Sequence, residues 1–216
     1  MSRDSTLPNS LIIGWRLQSH HVLIIGGNQI AANRIEFILD AKPRKITLIA
    51  PKSKISDKVK EYIEKHSIIH KASEFHVDYL TKTDDPIDLI FSAVDDEQLS
   101  NKIAITARER NIPINVAEIP QLCDFWLMPT YRDGNLQVAI STNGTGPQIA
   151  RKLRQHIIEN LPNNTTDAIN NVTLLKQNLG VADMSVLTKI TSSLSLDELA
   201  KLTQKDIKRL TAEYAS

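Results

Sequence analysis

The chain has 216 residues, 41% of them hydrophobic and 24% charged, and its 26 Lys and Arg nearly balance 25 Asp and Glu to a net charge of +1. That length suits one medium domain with a smaller appendage, and the composition excludes a disordered chain. Near-neutrality gives no reason to expect a nucleic-acid partner, no apolar run approaches the ~20 residues that span a bilayer, and a lone cysteine, Cys123, excludes an internal disulfide framework.

The first residues, Met1 to Asn9, are polar and lack the basic-then-apolar pattern of a secretory signal, so a reducing, cytoplasmic setting is expected. Val22 to Ile25 is rich in β-branched residues and ends in Gly26-Gly27, which predicts a buried strand and a tight turn. Residues 29–41 follow with Ile30, Ala31, Ile35, Ile38 and Leu39 at helical spacing. Ile46 to Ile49 predicts a second buried strand, stopped by Pro51, and Ser56 is the expected N-cap of a helix reaching about His66. Ile68-Ile69 marks a third strand and Asp88 to Val94 a fourth. Asp95 or Asp96 then caps a helix through Arg110, with Leu99, Ile103 and Ala107 on one face, and Ile112 to Val116 closes the series. Strand and helix alternating in this way predict an α/β fold: a Rossmann-like parallel sheet with helices on both faces.

The pattern changes near Glu118. Phe125 to Thr130 and Leu136 to Ser141 read as two strands of a hairpin, separated by Tyr131 to Asn135. Pro147 sits where a first-turn proline belongs, and Gln148 to Asn160 reads as a helix. Beyond the break at Pro162 to Thr166, helices are expected over 167–179, 184–193 and 195–214, the last opened by the capping box Ser195-Leu196-Asp197-Glu198. A small α+β domain and a C-terminal helical domain thus follow the sheet, with boundaries at 1–117, 118–162 and 163–216.

A strand that ends in glycines and opens a helix directs backbone N–H groups and the positive helix end at one spot, which suits a pyrophosphate. The segment Gly26-Gly27-Asn28-Gln29-Ile30-Ala31 has asparagine where the dinucleotide fingerprint has its second glycine, so a tight turn without ligand is the competing reading. At the end of the second strand, where NAD-binding sheets carry an acid for the ribose, stands Ala50-Pro51-Lys52-Ser53-Lys54. The lysines suit the 2′-phosphate of NADP or a merely solvated surface.

Four stretches follow one another in order: Asn115-Val116-Ala117-Glu118, Leu122-Cys123-Asp124-Phe125, Leu136 to Gly144, and Pro147 to Arg154. Together they resemble the siroheme synthase N-terminal family, above all its fungal type, the bifunctional precorrin-2 dehydrogenase and sirohydrochlorin ferrochelatase. Leu17 to Leu39 and Ser92-Ala93-Val94-Asp95-Asp96 fit the cofactor half of that family, and the resemblance covers residues 7 to about 162.

The resemblance implies a homodimer holding a tetrapyrrole in a cleft that faces the nicotinamide, with NAD as cofactor and NADP as the alternative. It assigns cofactor contacts to Gly26, Gly27, Asn28, Gln29 and Ile30, to Ala50, Pro51 and Lys52, and to Ala93, Val94 and Asp95. Precorrin-2 would be oxidised to sirohydrochlorin, and ferrous iron would enter as a substrate of the chelatase step. The family has an aspartate at the position of Glu118, implicated in both activities. Glu118 keeps the carboxylate with one methylene more, at the end of the last parallel strand where such sheets present ligand-contacting side chains.

Ser141, Thr142, Asn143 and Gly144, ahead of the helix at Pro147, form a natural seat for a polycarboxylate, and Arg132, Arg151 and Arg154 add cations. Each of these arginines also reads as an ordinary solvated side chain. No histidine pair has metal-ligand spacing, so no resident metal is expected. Fungal members carry a functional histidine in the C-terminal helices, whereas this chain has none after His156. The alternative to an enzyme is a degenerate Rossmann sensor that binds dinucleotide or tetrapyrrole without turnover.

Overall fold

The computed structural model describes residues 10–179 and 184–214, and the polar stretch Met1 to Asn9 lies outside them. The backbone groups into two compact units, one ending at Trp126 and the other beginning at Leu127.

The first unit is a five-stranded parallel sheet ordered β3-β2-β1-β4-β5, built from β1 (His21–Ile25), β2 (Lys45–Ile49), β3 (Ile68–Lys71), β4 (Leu89–Ser92) and β5 (Ile114–Val116). Leu23, Ile25, Ile49, Ile90 and Val116 pack with Ile103, Ala104 and Ala107 of helix α4 (Glu97–Glu109) on one face. Residues of opposite parity, Val22, Ile24, Leu48 and Phe91, are as deeply buried, so both faces are covered. That is why these strands read as unbroken apolar runs. Helix α1 (Gln29–Leu39) turns Ala31, Ala32, Ile35 and Ile38 inward, and α2 (Asp57–Lys65) is capped by Ser56, whose hydroxyl accepts from the Val59 amide. A single-turn helix α3 (Asp78–Thr81) and short 3₁₀ turns at Lys52–Lys54 and Pro120–Leu122 complete the unit; the sequence did not announce them.

The second unit opens with the antiparallel pair β6 (Thr130–Asp133) and β7 (Leu136–Ala139), in register Thr130↔Ala139 to Asp133↔Leu136. This corrects the expected strand at Phe125 to Thr130 and its five-residue loop. The loop is the two residues Gly134-Asn135, with Gly134 at φ +54°, a region glycine enters without steric cost. The apolar run that imitated a strand is used otherwise. Phe125 meets Phe91 edge-on at 5.5 Å between ring centroids and Trp15 at 6.5 Å, a satellite of the sheet core.

Helix α5 (Pro147–Glu159) follows, with proline in its first turn as expected, then α6 (Thr165–Leu179), α7 (Met184–Ser193), α8 (Leu196–Ala200) and α9 (Gln204–Tyr214). Leu175, Val186, Leu187, Ile190 and Ile207 form the core of this helical group. The capping box at Ser195 and Glu198 is present, with both reciprocal bonds made. The single helix expected over 195–214 is instead divided at residues 201–203. Thr203 starts a new helix there, its hydroxyl accepting from the Asp206 amide while Asp206 accepts from the Thr203 amide.

Candidate active site

The chain runs outward from β1 through β2 to β3 and then crosses back to β4 on the other side of β1, and this reversal opens a crevice at the carboxyl ends of β1 and β4. Gly26 lies at its base with φ +105°, and a Cβ there would stand 2.3 Å from the Ala93 carbonyl oxygen. A Cβ on Gly27 would stand 2.8 Å from the Lys54 carbonyl oxygen and 3.1 Å from the Ala50 side chain. The two glycines thus bring the ends of β1, β2 and β4 together: Gly26, Gly27, Ala50 and Ala93 converge as the sequence suggested. Their smallness is demanded by the protein's own backbone approaches.

Asn28 is the N-cap of α1. Its Oδ1 accepts from the amides of Ile30 and Ala31, each at 3.0 Å, and its Nδ2 donates to the Ala93 carbonyl and to Asp95, also each at 3.0 Å. An oxygen bound by two amides at a helix start is the arrangement a phosphate oxygen adopts at such a site. The donors and their direction therefore fit a dinucleotide pyrophosphate, with Asn28 Oδ1 as the internal stand-in. Gln29 lies on the first turn with its side-chain amide donating to Asn33 at 3.2 Å.

Pro51 and Lys52 begin the basic turn after β2. Lys54 is ion-paired with Glu74 at 2.8 Å, and both side chains are exposed. Val94, half-buried, continues β4 toward Asp95.

At the far side of the sheet, the backbone groups of two buried β5 residues point away from β4, and two positions of the returning chain satisfy them. The Ile114 amide donates to Asp124 Oδ2 at 3.0 Å, and the Ile114 carbonyl accepts from the Asp124 amide at 2.8 Å. The Val116 amide donates to Cys123 Sγ at 3.2 Å, and the thiol donates back to the Val116 carbonyl at 3.1 Å. Burial pushes the Cys123 thiol above its ordinary pKa, which suits a packed hydrogen-bonding residue. Asn115 Nδ2 donates to the Phe125 carbonyl at 2.9 Å. Two of the motifs that looked separate in sequence are therefore one interlocked structure, and Glu118 stands in the turn it fixes. Glu118 is exposed and adopts φ +63°, a left-handed conformation rare for a residue of its size.

In the second unit, Ser141 Oγ accepts from the Asn143 amide at 3.1 Å and Thr142 Oγ1 from the Gly146 amide at 3.2 Å; Asn143 and Gly144 take φ +51° and +78°. The chain is thereby coiled tightly ahead of α5, whose N-cap Gly146 provides no side-chain acceptor. Arg151 is exposed, with a 3.4 Å contact to Gln148. Arg154 is half-buried and donates to the Thr130 carbonyl at 3.0 Å, bracing α5 on the hairpin, and Arg132 of β6 is half-buried as well. No group of three or more His, Cys, Asp and Glu suited to a metal ion occurs among the described residues.

Sequence reasoning missed a charged cluster at the opposite, amino ends of the strands. Asp85 pairs with Arg44 at 2.6 Å and Lys45 at 2.9 Å, and their hydrogen bonds hold its carboxyl well below the usual carboxylate range. The Asp85 carboxylate also lies 3.5 Å from Nδ1 of buried His21, whose Nε2 meets Thr47 Oγ1 at 2.9 Å. Burial foremost, then nearby Lys45, lowers the His21 pKa. The amino ends of β1, β2 and β4 are neighbours, so the adjacency of these residues follows from the strand order and from no local motif.

Comparison with known proteins places this geometry. Residues 13–128 match a family model described as putative NAD(P)-binding, and residues 133–160 match the sirohaem biosynthesis protein central model. The siroheme biosynthesis protein met8 of Schizosaccharomyces pombe is 34% identical over 214 residues, covering 95% of this chain and 80% of that one. The siroheme synthase of Psychrobacter cryohalolentis is 32% identical over 157 residues, covering 71% of this chain and 28% of its own length, so the chain spans under a third of that relative. Among solved structures, one titled SirC, precorrin-2 dehydrogenase, superposes with a TM-score of 0.72 at 19% identity, over 95% of this chain and 99% of that one, and shares the fold. With a family model over residues 13–128 and 34% identity to the S. pombe protein over 95% of its length, the chain belongs to the siroheme biosynthesis family.

Proposed function

We propose that this protein is a precorrin-2 dehydrogenase, which removes a hydride and a proton from precorrin-2 to give sirohydrochlorin and passes the hydride to NAD or NADP. The observation that carries the reading is a glycine turn at the reversal point of a 3-2-1-4-5 sheet, in a chain 34% identical over 95% of its length to a siroheme biosynthesis protein.

A nicotinamide ring bound at the crevice supplies the hydride acceptor. Gly26 and Gly27 keep the turn low, the Ile30 and Ala31 amides face the pyrophosphate once the Asn28 side chain yields, and Gln29 flanks it. Ala50, Pro51 and Lys52 border the adenosine ribose, and Ala93, Val94 and Asp95 border the nicotinamide half. Glu118 accepts the proton released with the hydride, an assignment supported by its position after β5 and its left-handed backbone. Ser141, Thr142, Asn143 and Gly144, with Arg132, Arg151 and Arg154, bind carboxylates of the macrocycle.

Within this reading residues 1–117 carry the cofactor, 118–162 the substrate and dimer contacts, and 163–216 a helical domain. The dimer is supported by α5, on which Ala150 is the one buried residue while Ile149, Leu153 and Ile157, at i, i+4 and i+8, are 60%, 46% and 36% exposed. A second copy of the chain is the proposed partner, and the cytoplasm the proposed location. Among the described residues no helix is long and apolar enough to cross a membrane.

Ferrous iron is the proposed substrate of a second step. What favours this is that the similarity to the S. pombe protein runs over 214 residues and so into the C-terminal helices, while that to the bacterial synthase spans 157. The competing reading, a sensor without turnover, is favoured by Asn28, which caps its own helix where a phosphate would bind.

The test is conversion. Enzymatically made precorrin-2 is supplied with each nicotinamide cofactor and the absorption of sirohydrochlorin followed, then ferrous iron is added. Appearance of sirohydrochlorin supports the dehydrogenase and its subsequent loss to siroheme the chelatase; dinucleotide binding without conversion supports the sensor.

A further inference from the structure

Resting on the reading of Glu118 as the proton acceptor, we propose that Cys123 is a positioning residue for that carboxylate, acting through the backbone of Val116 and Ile119. The Glu118 carboxylate makes no hydrogen bond or ion pair among the described residues, so only its backbone aims it. That backbone sits at φ +63°, a conformation that a residue with a Cβ keeps only where its neighbours over-determine it.

The neighbours are fixed on both sides. Ahead of Glu118, the amide of buried Ala117 donates to the Ser92 carbonyl at 2.8 Å, tying the turn to the end of β4. After it, the Leu122 amide donates to the Ile119 carbonyl and the Cys123 amide to the Pro120 carbonyl, each at 3.1 Å, so the chain doubles back. The Cys123 sulfur closes the loop. It accepts from the Val116 amide at 3.2 Å and directs its proton to the Val116 carbonyl at 3.1 Å, with the Ile119 carbonyl 3.6 Å away. Val116 and Ile119 bracket Ala117-Glu118, so one side chain meets the backbone on either side of the carboxylate. The sulfur must stay protonated to donate, and burial, by raising its pKa, keeps it so. A serine hydroxyl can fill both roles, whereas an alkyl group can fill neither.

The outer anchorage of this loop does not depend on the thiol. Asp124 exchanges two bonds with Ile114 and pairs with Arg108 at 3.1 Å, while Asn115 Nδ2 holds the Phe125 carbonyl at 2.9 Å. Ile119 and Leu122 pack against the sheet core. Removing the thiol therefore leaves the chain docked on β5 and loosens only the loop that carries Glu118. A reacting group displaced by about 1 Å loses up to about a hundredfold in rate, so even partial loosening should be visible in kcat.

Steady-state oxidation of precorrin-2 by the full chain and by Cys123→Ser, Cys123→Ala and Cys123→Val, with thermal melts of each, tests this directly. Cys123→Ser is expected to keep kcat near that of the parent. Cys123→Ala, and Cys123→Val with its apolar bulk retained, should lower kcat by about tenfold or more while the KM for the dinucleotide stays unchanged. Parental kcat in the alanine and valine variants, an equal loss in Cys123→Ser, or a dinucleotide KM that rises as kcat falls overturns the proposal. Loss of a cooperative melt in both the alanine and valine variants also overturns it, by assigning the thiol to the fold. All of these leave the role of Glu118 standing. That role falls if Glu118→Ala keeps full turnover, and the positioning role of Cys123 falls with it; a parent chain without turnover overturns both.

Discussion

The side-chain amide of Asn28 donates a 3.0 Å hydrogen bond to the carboxylate of Asp95, 67 positions further along the chain. The bond spans the mouth of the crevice at the ends of β1 and β4, and the same side chain caps α1. Asn28→Gly should free the Ile30 and Ala31 amides and remove the bridge, tightening dinucleotide affinity several-fold. The cost is the cap, a few tenths of a kcal/mol for glycine, plus the two bridging bonds at about 1 kcal/mol each. Calorimetry and thermal melting on the same samples check both parts; unchanged or weaker affinity would mean that the turn serves packing alone.

Glu118 should separate chemistry from stability. Glu118→Ala is expected to abolish precorrin-2 oxidation with cofactor affinity intact, and full turnover would remove this carboxylate from the mechanism. Glu118→Gly is expected to be equally inactive yet more stable by about 1 kcal/mol, because glycine carries no steric penalty at φ +63°. Glu118→Asp should retain activity, since aspartate tolerates this backbone region better than most residues.

His21 predicts a sign for the pH dependence of folding. Its pKa is lowered from the ordinary value of 6.5, so between the folded and unfolded values the unfolded chain binds more protons. The contribution is complete above 6.5 and is lost as pH falls through that value toward the lower folded one. Urea midpoints should drop between about pH 7.5 and about pH 5.5, and His21→Gln should flatten that slope; an unchanged slope in the variant would assign the dependence elsewhere. Asp85, whose pKa is also lowered, contributes stability that disappears only in much stronger acid.

The α5 stripe predicts assembly. Leu153→Lys is expected to convert a dimer to a monomer, read by light scattering after gel filtration, with the circular dichroism of the helices unchanged. A monomeric parent protein would end the proposal, as would a variant that still dimerises.

Most of the sheet was legible because its strands are covered on both faces, and runs such as Val22 to Ile25 have no other economical reading. The hairpin was misjudged for the complementary reason. Phe125 is apolar because it joins Phe91 and Trp15 against the sheet, while the true strand, Thr130–Asp133, is polar and marked only by the Gly134 turn. Glycines 26 and 27, Asn28 and Ala93 came together as the motif implied. The bonds of Asn28 to Ala93 and Asp95 beyond β4, and the left-handed backbone of Glu118, depend on contacts remote in sequence and have no local signature. The same holds for Asp85, whose three ionisable neighbours come from residues 40 or more positions earlier.

The fastening of Cys123 and Asp124 onto β5 has a consequence for solubility. A parallel sheet has two margins, and each offers unpaired amides and carbonyls as a template for a strand from another molecule. At Ile114 and Val116 every such group is taken, so this margin is closed to strand addition. Intermolecular ladders are thereby directed to β3, where exposed Ile69 is followed by His70 and Lys71, and the lysine's charge there opposes stacking of identical chains.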